Sequence, residues 1–222
     1  MRRFVRDQAL SLFFLVIFVL ALIGQSVAGN ADYNAQQVAN SGAPISWPAY
    51  VTSSSYAVDV AENWQSEYLQ FLLFILITVW LVQRGSHESK EPGREGPESD
   101  EAQQMGPYAG PDSPGLARAG GLRPFLYSNS LGLVMGLVFV LSWLAQSVAG
   151  TASYNAEQLS QLQDPVSWSD YIVSADFWNR TLQNWQSEFL AVLSMVVLSI
   201  YLRQRGSPES KRVGDPHKQT EA

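Results

Sequence analysis

Four long apolar runs alternate with polar, Pro- and Gly-rich segments along the chain. The core of a bilayer is crossed by about 20 helical residues, and each run approaches or exceeds that length. Exposed strand edges are not viable in lipid, and the runs are too long for strands of a globular protein. The pattern therefore predicts an all-α integral membrane fold. Its four transmembrane helices are expected at about 8–28, 64–83, 125–149 and 185–203.

The second half of the chain repeats the first half at an offset of 121 residues, without a gap. In this alignment, 36 of 87 positions are identical. Gln-Ser-Val-Ala-Gly occurs at 25–29 and 146–150, and Asn-Trp-Gln-Ser-Glu occurs at 63–67 and 184–188. Chance does not produce such a match, so the chain is predicted to contain two tandem copies of one helical hairpin.

The duplication divides the chain into four parts. These are a first membrane hairpin (1–90), a linker (91–121), a second membrane hairpin (122–210) and a tail (211–222). The linker and the tail are rich in polar residues, Pro and Gly, and they cannot bury enough apolar area to offset chain entropy. Both are therefore predicted to be disordered.

The first apolar run also has the features of a signal peptide. Arg2, Arg3 and Arg6 precede the run, and the small residues Ser26-Val27-Ala28 follow it as a cleavage site would. These residues taken alone leave cleavage before Gly29 open. However, the same Gln-Ser-Val-Ala-Gly ends the third run, where a signal peptide cannot occur. We therefore expect the first run to be retained as a membrane helix.

Basic residues predict the orientation of the chain in the membrane. The loops at 30–63 and 151–184 contain only Arg180. The other 13 of the 14 Lys and Arg residues lie at the opposite helix ends: in the N-terminal segment, between the second and third predicted helices, and from residue 203 onward. By the positive-inside rule, both termini and the linker are cytoplasmic and both loops face outside. The repeats are then parallel, related by an axis along the membrane normal.

Polar residues at the predicted outer helix ends form the candidate site. Antiparallel neighbours within each hairpin should bring these ends together, and parallel packing should gather two such clusters at outer-leaflet depth. The cluster comprises Gln25, Ser26, Asn63, Gln65, Ser66, Glu67, Gln146, Ser147, Asn184, Gln186, Ser187 and Glu188.

This cluster has a structural and a functional interpretation. In the structural one, Asn63 or Ser66 caps a helix, Glu67 in the first turn is favoured by the helix dipole, and Gln25 bonds across to the partner helix. In the functional one, Glu67 and Glu188 are costly carboxylates at membrane level that bind a cation, a proton or a polar ligand.

The composition argues against catalysis and metal binding. The chain has no Cys, and its two His residues, His87 and His217, lie in polar segments among Ser, Glu and Lys without partner ligands. We therefore expect no catalytic residue, no metal, no cofactor and no nucleic-acid partner, and we expect that the protein is not an enzyme.

Two boxes resemble those of a family of bacterial membrane proteins that is described as a domain of unknown function. They are Asn-Trp-Gln-Ser-Glu-[Tyr/Phe]-Leu, at 63–69 and 184–190, and Gln-Arg-Gly-Ser-x-Glu-Ser-Lys, at 83–90 and 204–211. Tyr68 departs from the Phe of the family pattern. The resemblance implies a bacterial inner or plasma membrane location and brings no activity.

Two functions follow from these features. The first is a non-enzymatic structural or interaction component of the membrane, whose partners are the lipid bilayer and itself or other membrane proteins. The alternative is a small ion or solute transporter or channel that acts as an oligomer through the outer-leaflet Glu/Gln cluster.

Overall fold

The computed structural model describes residues 2–220. Met1, Glu221, Ala222 and the side chain of Arg2 lie outside this description, and so do the ends of the predicted first hairpin and tail. Within residues 2–220 the chain is all-helical and contains no strand. The predicted all-α class is therefore confirmed.

Four of the α-helices in the described part of the chain are long, and four are short. The α-helices in chain order are α1 (Arg2–Asp7), α2 (Ala9–Ala39), α3 (Trp47–Val51), α4 (Ser54–Ile77), α5 (Leu122–Ser128), α6 (Ser130–Ser160), α7 (Trp168–Tyr171) and α8 (Ala175–Tyr201). The long ones are α2, α4, α6 and α8, and each overlaps one predicted membrane helix. The linker forms short 3-10 turns at Gly106–Tyr108 and Gly115–Arg118. The predicted disorder of the linker is a statement about motion, which a single structure does not describe, so it stays a prediction.

The long helices extend beyond the predicted membrane segments at their loop ends. Helix α2 continues to Ala39 instead of 28, and α6 continues to Ser160 instead of 149. Helices α4 and α8 begin at Ser54 and Ala175 instead of 64 and 185. The apolar runs mark the stretch suited to a bilayer core. The helices continue through the polar residues beyond it because no proline interrupts them there.

Helix α4 also ends earlier than predicted, at Ile77 instead of 83. The Thr78 hydroxyl donates to the carbonyl oxygen of Phe74 (2.6 Å), and the backbone N–H of Gly96 in the linker donates to Val79 O (2.7 Å). The linker therefore binds the carbonyl oxygen of Val79, which would accept a helical backbone hydrogen bond if α4 continued. The helix ends at this point.

Two helices in residues 2–220 are long and apolar enough to cross a membrane, by length and composition: α2 and α6. In their most apolar stretches, 6% and 17% of the residues are buried. Helices α4 and α8 have comparable length, but their polar first halves lower their apolar content. The four predicted helices are therefore confirmed as helices, whereas their membrane crossing is supported by length and composition only for α2 and α6.

The chain divides into two compact units. Within the described residues, the first unit comprises the chain up to Ala61 together with Ala145–Phe177. The second comprises Glu62–Leu144 together with the residues from Trp178 onward. Helices α4, α6 and α8 contribute residues to both units.

Candidate functional site

In the first unit, the loop after α2 is bound back onto that helix. We call this arrangement, residues 26–50, the first loop cap. The Trp47 indole Nε1 donates to the hydroxyl of Ser26 (3.1 Å), which is 3% exposed. The Asn34 amide nitrogen donates to Ile45 O (2.9 Å), and its amide oxygen accepts from Ile45 N (2.7 Å). One side chain therefore satisfies both backbone groups of a loop residue.

The second copy of the repeat forms the same contacts, in residues 147–171, the second loop cap. Trp168 Nε1 donates to the Ser147 hydroxyl at 3.1 Å. Asn155 donates to Val166 O (2.9 Å) and accepts from Val166 N (2.8 Å). The polar residues that both copies share here hold a loop on a helix, and Ser26 and Ser147 of the predicted cluster have this structural role.

A buried tyrosine closes each loop cap against a glycine. Tyr50 is 3% exposed and packs on Gly29, and Tyr171 is 1% exposed and packs on Gly150. A Cβ atom at position 29 or 150 would overlap the tyrosine hydroxyl. Burial raises the pKa of Tyr50, and the nearby carboxylate of Asp59 raises it further.

The two glutamines of the Gln-Ser-Val-Ala-Gly boxes have different environments. Gln25 is exposed, and its side chain makes no hydrogen bond to another described residue. Gln146, at the same position of the second copy, is fully buried. The expected bond from Gln25 to a partner helix is therefore missing among residues 2–220.

The Asn-Trp-Gln-Ser-Glu boxes lie inside helices, not at helix starts. Helices α4 and α8 begin about ten residues earlier, where the hydroxyls of Ser53 and Ser174 accept backbone N–H bonds (3.3 and 3.2 Å). The interpretation of Asn63 or Ser66 as a helix cap is therefore wrong. Glu67 also lies too far from the helix N-terminus to be stabilised by its dipole, which acts within the first turn.

Several box residues bond to the backbone of their own helix in the second unit. The Ser66 hydroxyl donates to Asn63 O (2.9 Å), and the Ser187 hydroxyl donates to Asn184 O (2.8 Å). The Asn184 amide donates to Arg180 O at 2.9 Å. These bonds satisfy the polar groups within the helix itself.

Gln65 makes the contact between box residues of the two copies. It is fully buried, and its amide oxygen accepts from Trp185 Nε1 at 2.9 Å. Its amide nitrogen has no hydrogen-bond partner within residues 2–220. The equivalent glutamine, Gln186, is exposed. The two copies therefore use the same box differently.

The two box glutamates lie close enough to interact electrostatically. Glu67 is exposed and Glu188 is half-buried. Neither forms an ion pair with a Lys, Arg or His within the described residues. Two like charges at one site with no cation beside them are unfavourable, and this is the part of the predicted cluster that the structural contacts above leave unexplained.

Sequence reasoning missed the residues that surround Gln65. Glu62 forms an ion pair with Arg180 (3.1 Å), and the Glu62 side chain is only 15% exposed. The Trp143 ring lies 6.2 Å from that of Trp178 and 6.0 Å from that of Trp185. Arg180, as the lone basic residue of the loops, was the available signal for the ion pair.

The Gly-Ser-x-Glu-Ser-Lys boxes form matching turns after α4 and α8. The hydroxyls of Ser89 and Ser210 each accept from the backbone N–H six residues earlier, at 2.7 and 2.9 Å. Gly85 and Gly206 have φ of 87° and 84°, which is the left-handed region that favours glycine. This second shared motif is therefore also structural.

Acidic residues of the two turns face a small cavity. Glu88 and Glu209 line it together with Gln70, and its volume is about 210 Å³. Burial raises the pKa of Glu88, repulsion from Glu209 raises it further, and nearby His87 lowers it in part. None of the twelve predicted cluster residues lines this cavity.

The sequence pattern of the family described as Domain of unknown function (DUF6766) matches residues 1–222. The chain belongs to this family. The predicted membership of a family described as a domain of unknown function is thereby confirmed, whereas the bacterial origin and the role of the boxes stay predictions. No curated protein and no solved structure matches the chain.

The family assignment brings no chemistry, so any function must follow from the residues themselves. No group of three or more His, Asp or Glu side chains in residues 2–220 is arranged to hold a metal ion. Among the predicted residues, the serines and Asn184 have structural partners. Gln65 joins the two copies, and Glu67 and Glu188 form a carboxylate pair.

Proposed function

We propose that the protein is a non-enzymatic component of a bacterial inner membrane, which crosses the bilayer four times and acts by packing with membrane partners. Both termini and the linker then lie in the cytoplasm, as the distribution of Lys and Arg favours. In this arrangement α4 and α8 join α2 and α6 as membrane-spanning helices.

The observation that supports this function is the use of shared residues in both copies. The loop caps and the Gly-Ser turns engage several polar side chains that the repeats have in common, with bond lengths that agree between copies within about 0.2 Å. Residues kept for chemistry would leave reactive groups pointing toward a substrate. These side chains bind the protein's own backbone and hold the loops and helix ends in place.

The apolar surface of α2 supports a membrane location. Its large apolar side chains from Leu10 to Ile23 include ten that are exposed, from 42% for Val19 to 71% for Leu10. Such a continuous exposed surface is unfavourable in water, at about 25 cal/mol per Å², and favourable against lipid tails.

Cysteine labelling in intact cells tests the four-span arrangement, because the chain has no native Cys. We expect Leu162→Cys, at a 97% exposed position in the second loop, to react with an impermeant maleimide from outside. Ser99→Cys, at an exposed linker position, should react only after permeabilisation. If only α2 and α6 span, the pattern reverses, with Ser99→Cys labelled and Leu162→Cys protected. That reversal would contradict the proposal.

The Glu67–Glu188 pair favours a second candidate function, transport of a proton or small cation by an oligomer. Two neighbouring carboxylates without a basic partner can bind a proton or a cation, and such groups within membrane helices often mark ion pathways. This function requires flux across the membrane, whereas the packing function does not.

Flux measurements with purified protein in lipid vesicles separate these two functions. Under the packing function, we expect proton and monovalent-cation flux to be the same for the wild type and for the double variant Glu67→Gln, Glu188→Gln. Glu157→Gln, a change at an exposed glutamate outside the box, is the matched control. Transport would instead be established if the wild-type flux exceeds that of empty vesicles and falls by about tenfold or more in the double variant but not in the control.

A further inference from the structure

A cavity of about 450 Å³ lies between α4 and α8 in the second unit. Most of the side chains that line it are aliphatic or phenylalanine, among them Leu73, Phe74, Phe189 and Leu193. Sites for small organic molecules are typically about 300–1,000 Å³ in volume and mainly apolar, with a few polar groups. The cavity therefore has the size and the walls of a binding site for a small organic ligand.

The smaller cavity described above, of about 210 Å³, shares a wall with the larger one. Four residues line both cavities: Gln70, Phe74, Glu88 and Val192. Glu209 also lines the smaller cavity, whereas no Lys, Arg or His of residues 2–220 lines either of them. The charged side chains that line this space are therefore acidic.

Glu88 differs from the hydroxyl groups that line the larger cavity. The Thr78 hydroxyl donates to Phe74 O, and the Ser89 hydroxyl accepts from Gln83 N at 2.7 Å, so both are bonded to the backbone. By contrast, Oε1 of Glu88 is buried and has no hydrogen-bond partner in the described part of the chain. A buried carboxylate oxygen without a partner is unfavourable unless a ligand supplies a donor or a positive charge.

The surroundings of Glu88 indicate which kind of ligand would stabilise it. Burial and then repulsion from Glu209 raise the pKa of Glu88, and nearby His87 lowers it in part. A cation in the cavity would favour the ionised carboxylate, because attraction between charges is strong where water is excluded. The rings of Phe74 and Phe189 can also attract a cation through their faces. An inorganic ion would leave the apolar walls uncovered, and a neutral ligand would leave the carboxylate without a counter-charge.

We propose that this cavity binds a lipophilic organic cation, with the positive centre beside Glu88 and the apolar groups in the space between α4 and α8. Quaternary phosphonium and ammonium ions with aromatic or alkyl substituents belong to this class. The site is separate from the Glu67–Glu188 pair, since neither of those glutamates lines either cavity. The inference goes beyond the proposed packing function and does not depend on it, because the cavity and Glu88 belong to one compact unit.

Equilibrium binding of radiolabelled tetraphenylphosphonium to the purified full chain in detergent tests the proposal, with protein-free micelles as the blank. Tetraphenylborate has nearly the same shape and the opposite charge, so it separates recognition of charge from uptake of any apolar ion. We expect saturable binding of one tetraphenylphosphonium per chain and binding of tetraphenylborate that is weaker by about tenfold or more. Equal binding of the two ions would show an apolar site without charge recognition and would overturn the proposal. Absence of saturable tetraphenylphosphonium binding would also overturn it.

Two substitutions test whether the cation lies at Glu88. Glu88→Gln removes the charge with little change of shape, and it should weaken tetraphenylphosphonium binding by about tenfold or more. Glu91→Gln is the matched control, because Glu91 is exposed in the same segment and lines neither cavity, and it should bind like the wild type. Val192→Phe, which adds bulk to the shared wall, should also reduce binding.

The decisive comparison is between Glu88→Gln and Glu91→Gln. Unchanged binding for Glu88→Gln, or an equal loss in both variants, would contradict a cation site at Glu88. Glu88→Gln leaves the apolar walls intact, so it decides the outcome even if Val192→Phe fails to fold, which thermal unfolding followed by tryptophan fluorescence shows. Labelling of Ser99→Cys and Leu162→Cys tests the four-span arrangement separately, so the two proposals fail independently.

Discussion

Replacement of Gly29 by alanine is expected to destabilise the protein by about 1–3 kcal/mol, the usual cost of adding a methyl group to a packed site. The added Cβ would overlap the hydroxyl of Tyr50, a side chain that is 3% exposed and has little room to move. Gly150→Ala should have a similar effect, because its Cβ would lie 2.6 Å from the Tyr171 hydroxyl. Thermal unfolding in detergent, followed by tryptophan fluorescence, measures both changes.

Gly24→Ala provides the matched control for this prediction. It lies on the same helix as Gly29, and a Cβ at position 24 would meet no atom within 4 Å. Alanine there should be neutral or stabilising by up to about 1 kcal/mol, since glycine is a poor helix former. If Gly29→Ala were as stable as Gly24→Ala, the packing of Tyr50 on the helix would be incorrect. The double variant Gly29→Ala, Tyr50→Phe should recover part of the loss, because it removes the overlapping hydroxyl.

Replacement of Asn34 by alanine is expected to cost about 2–3 kcal/mol, because it removes two hydrogen bonds. It leaves the backbone N–H of Ile45 without a partner, and it leaves Ile45 O with only the longer bond from the Asn30 amide (3.3 Å). The bonds concerned are 2.9 and 2.7 Å long and partly buried. Asn155→Ala should cost about as much, since its two bonds to Val166 are 2.9 and 2.8 Å long. The same unfolding measurement applies, together with limited proteolysis of the loops.

Gln36→Ala is the control for the asparagine variants. Gln36 is exposed two residues from Asn34, and its side chain bonds to the exposed carboxylate of Asp32. Its removal should change stability by no more than about 0.5 kcal/mol. A loss for Asn34→Ala no larger than that of Gln36→Ala would show that the loop is held by other contacts.

The helical class and the duplication could be predicted from the sequence because both depend on long patterns. Apolar runs of membrane length and 36 identities in 87 positions are not affected by the details of packing. The contacts of the loop caps were harder to predict from the sequence. Asn34 and Trp47 recur in the second copy, which marks them as shared, but their partners are a backbone segment and a serine that only the fold brings near.

The helix ends were predicted less well, and this changed the interpretation of the site. Hydropathy marks where a helix suits lipid, so it placed the start of α4 at Trp64 instead of Ser54. That error made Glu67 look like a first-turn residue. Because α4 begins at Ser54, the helix dipole does not explain the position of the Glu67 carboxylate. The proximity of Glu67 to Glu188 is then the feature that needs an explanation.

The different environments of equivalent residues could not be predicted at all. Gln65 and Gln186 occupy the same position of one box, yet the first is fully buried and the second is exposed. Local sequence is identical around them, so only the packing of one copy against the other separates the two. A repeat identifies shared residues, and it does not show which copy is covered.

The length of α2 determines how far the end of this helix stands from the lipid. Its 31 residues, at a rise of about 1.5 Å each, give a helix about 46 Å long, whereas the hydrocarbon core is about 30 Å thick. Helix α6 also has 31 residues. In a four-span membrane protein, both helices therefore extend about 16 Å past the lipid tails. Gly29, on which Tyr50 packs, lies about 30 Å from the start of α2, so the tyrosine-closed cap then stands at the outer surface of the membrane, and the helix beyond Gly29 extends into water.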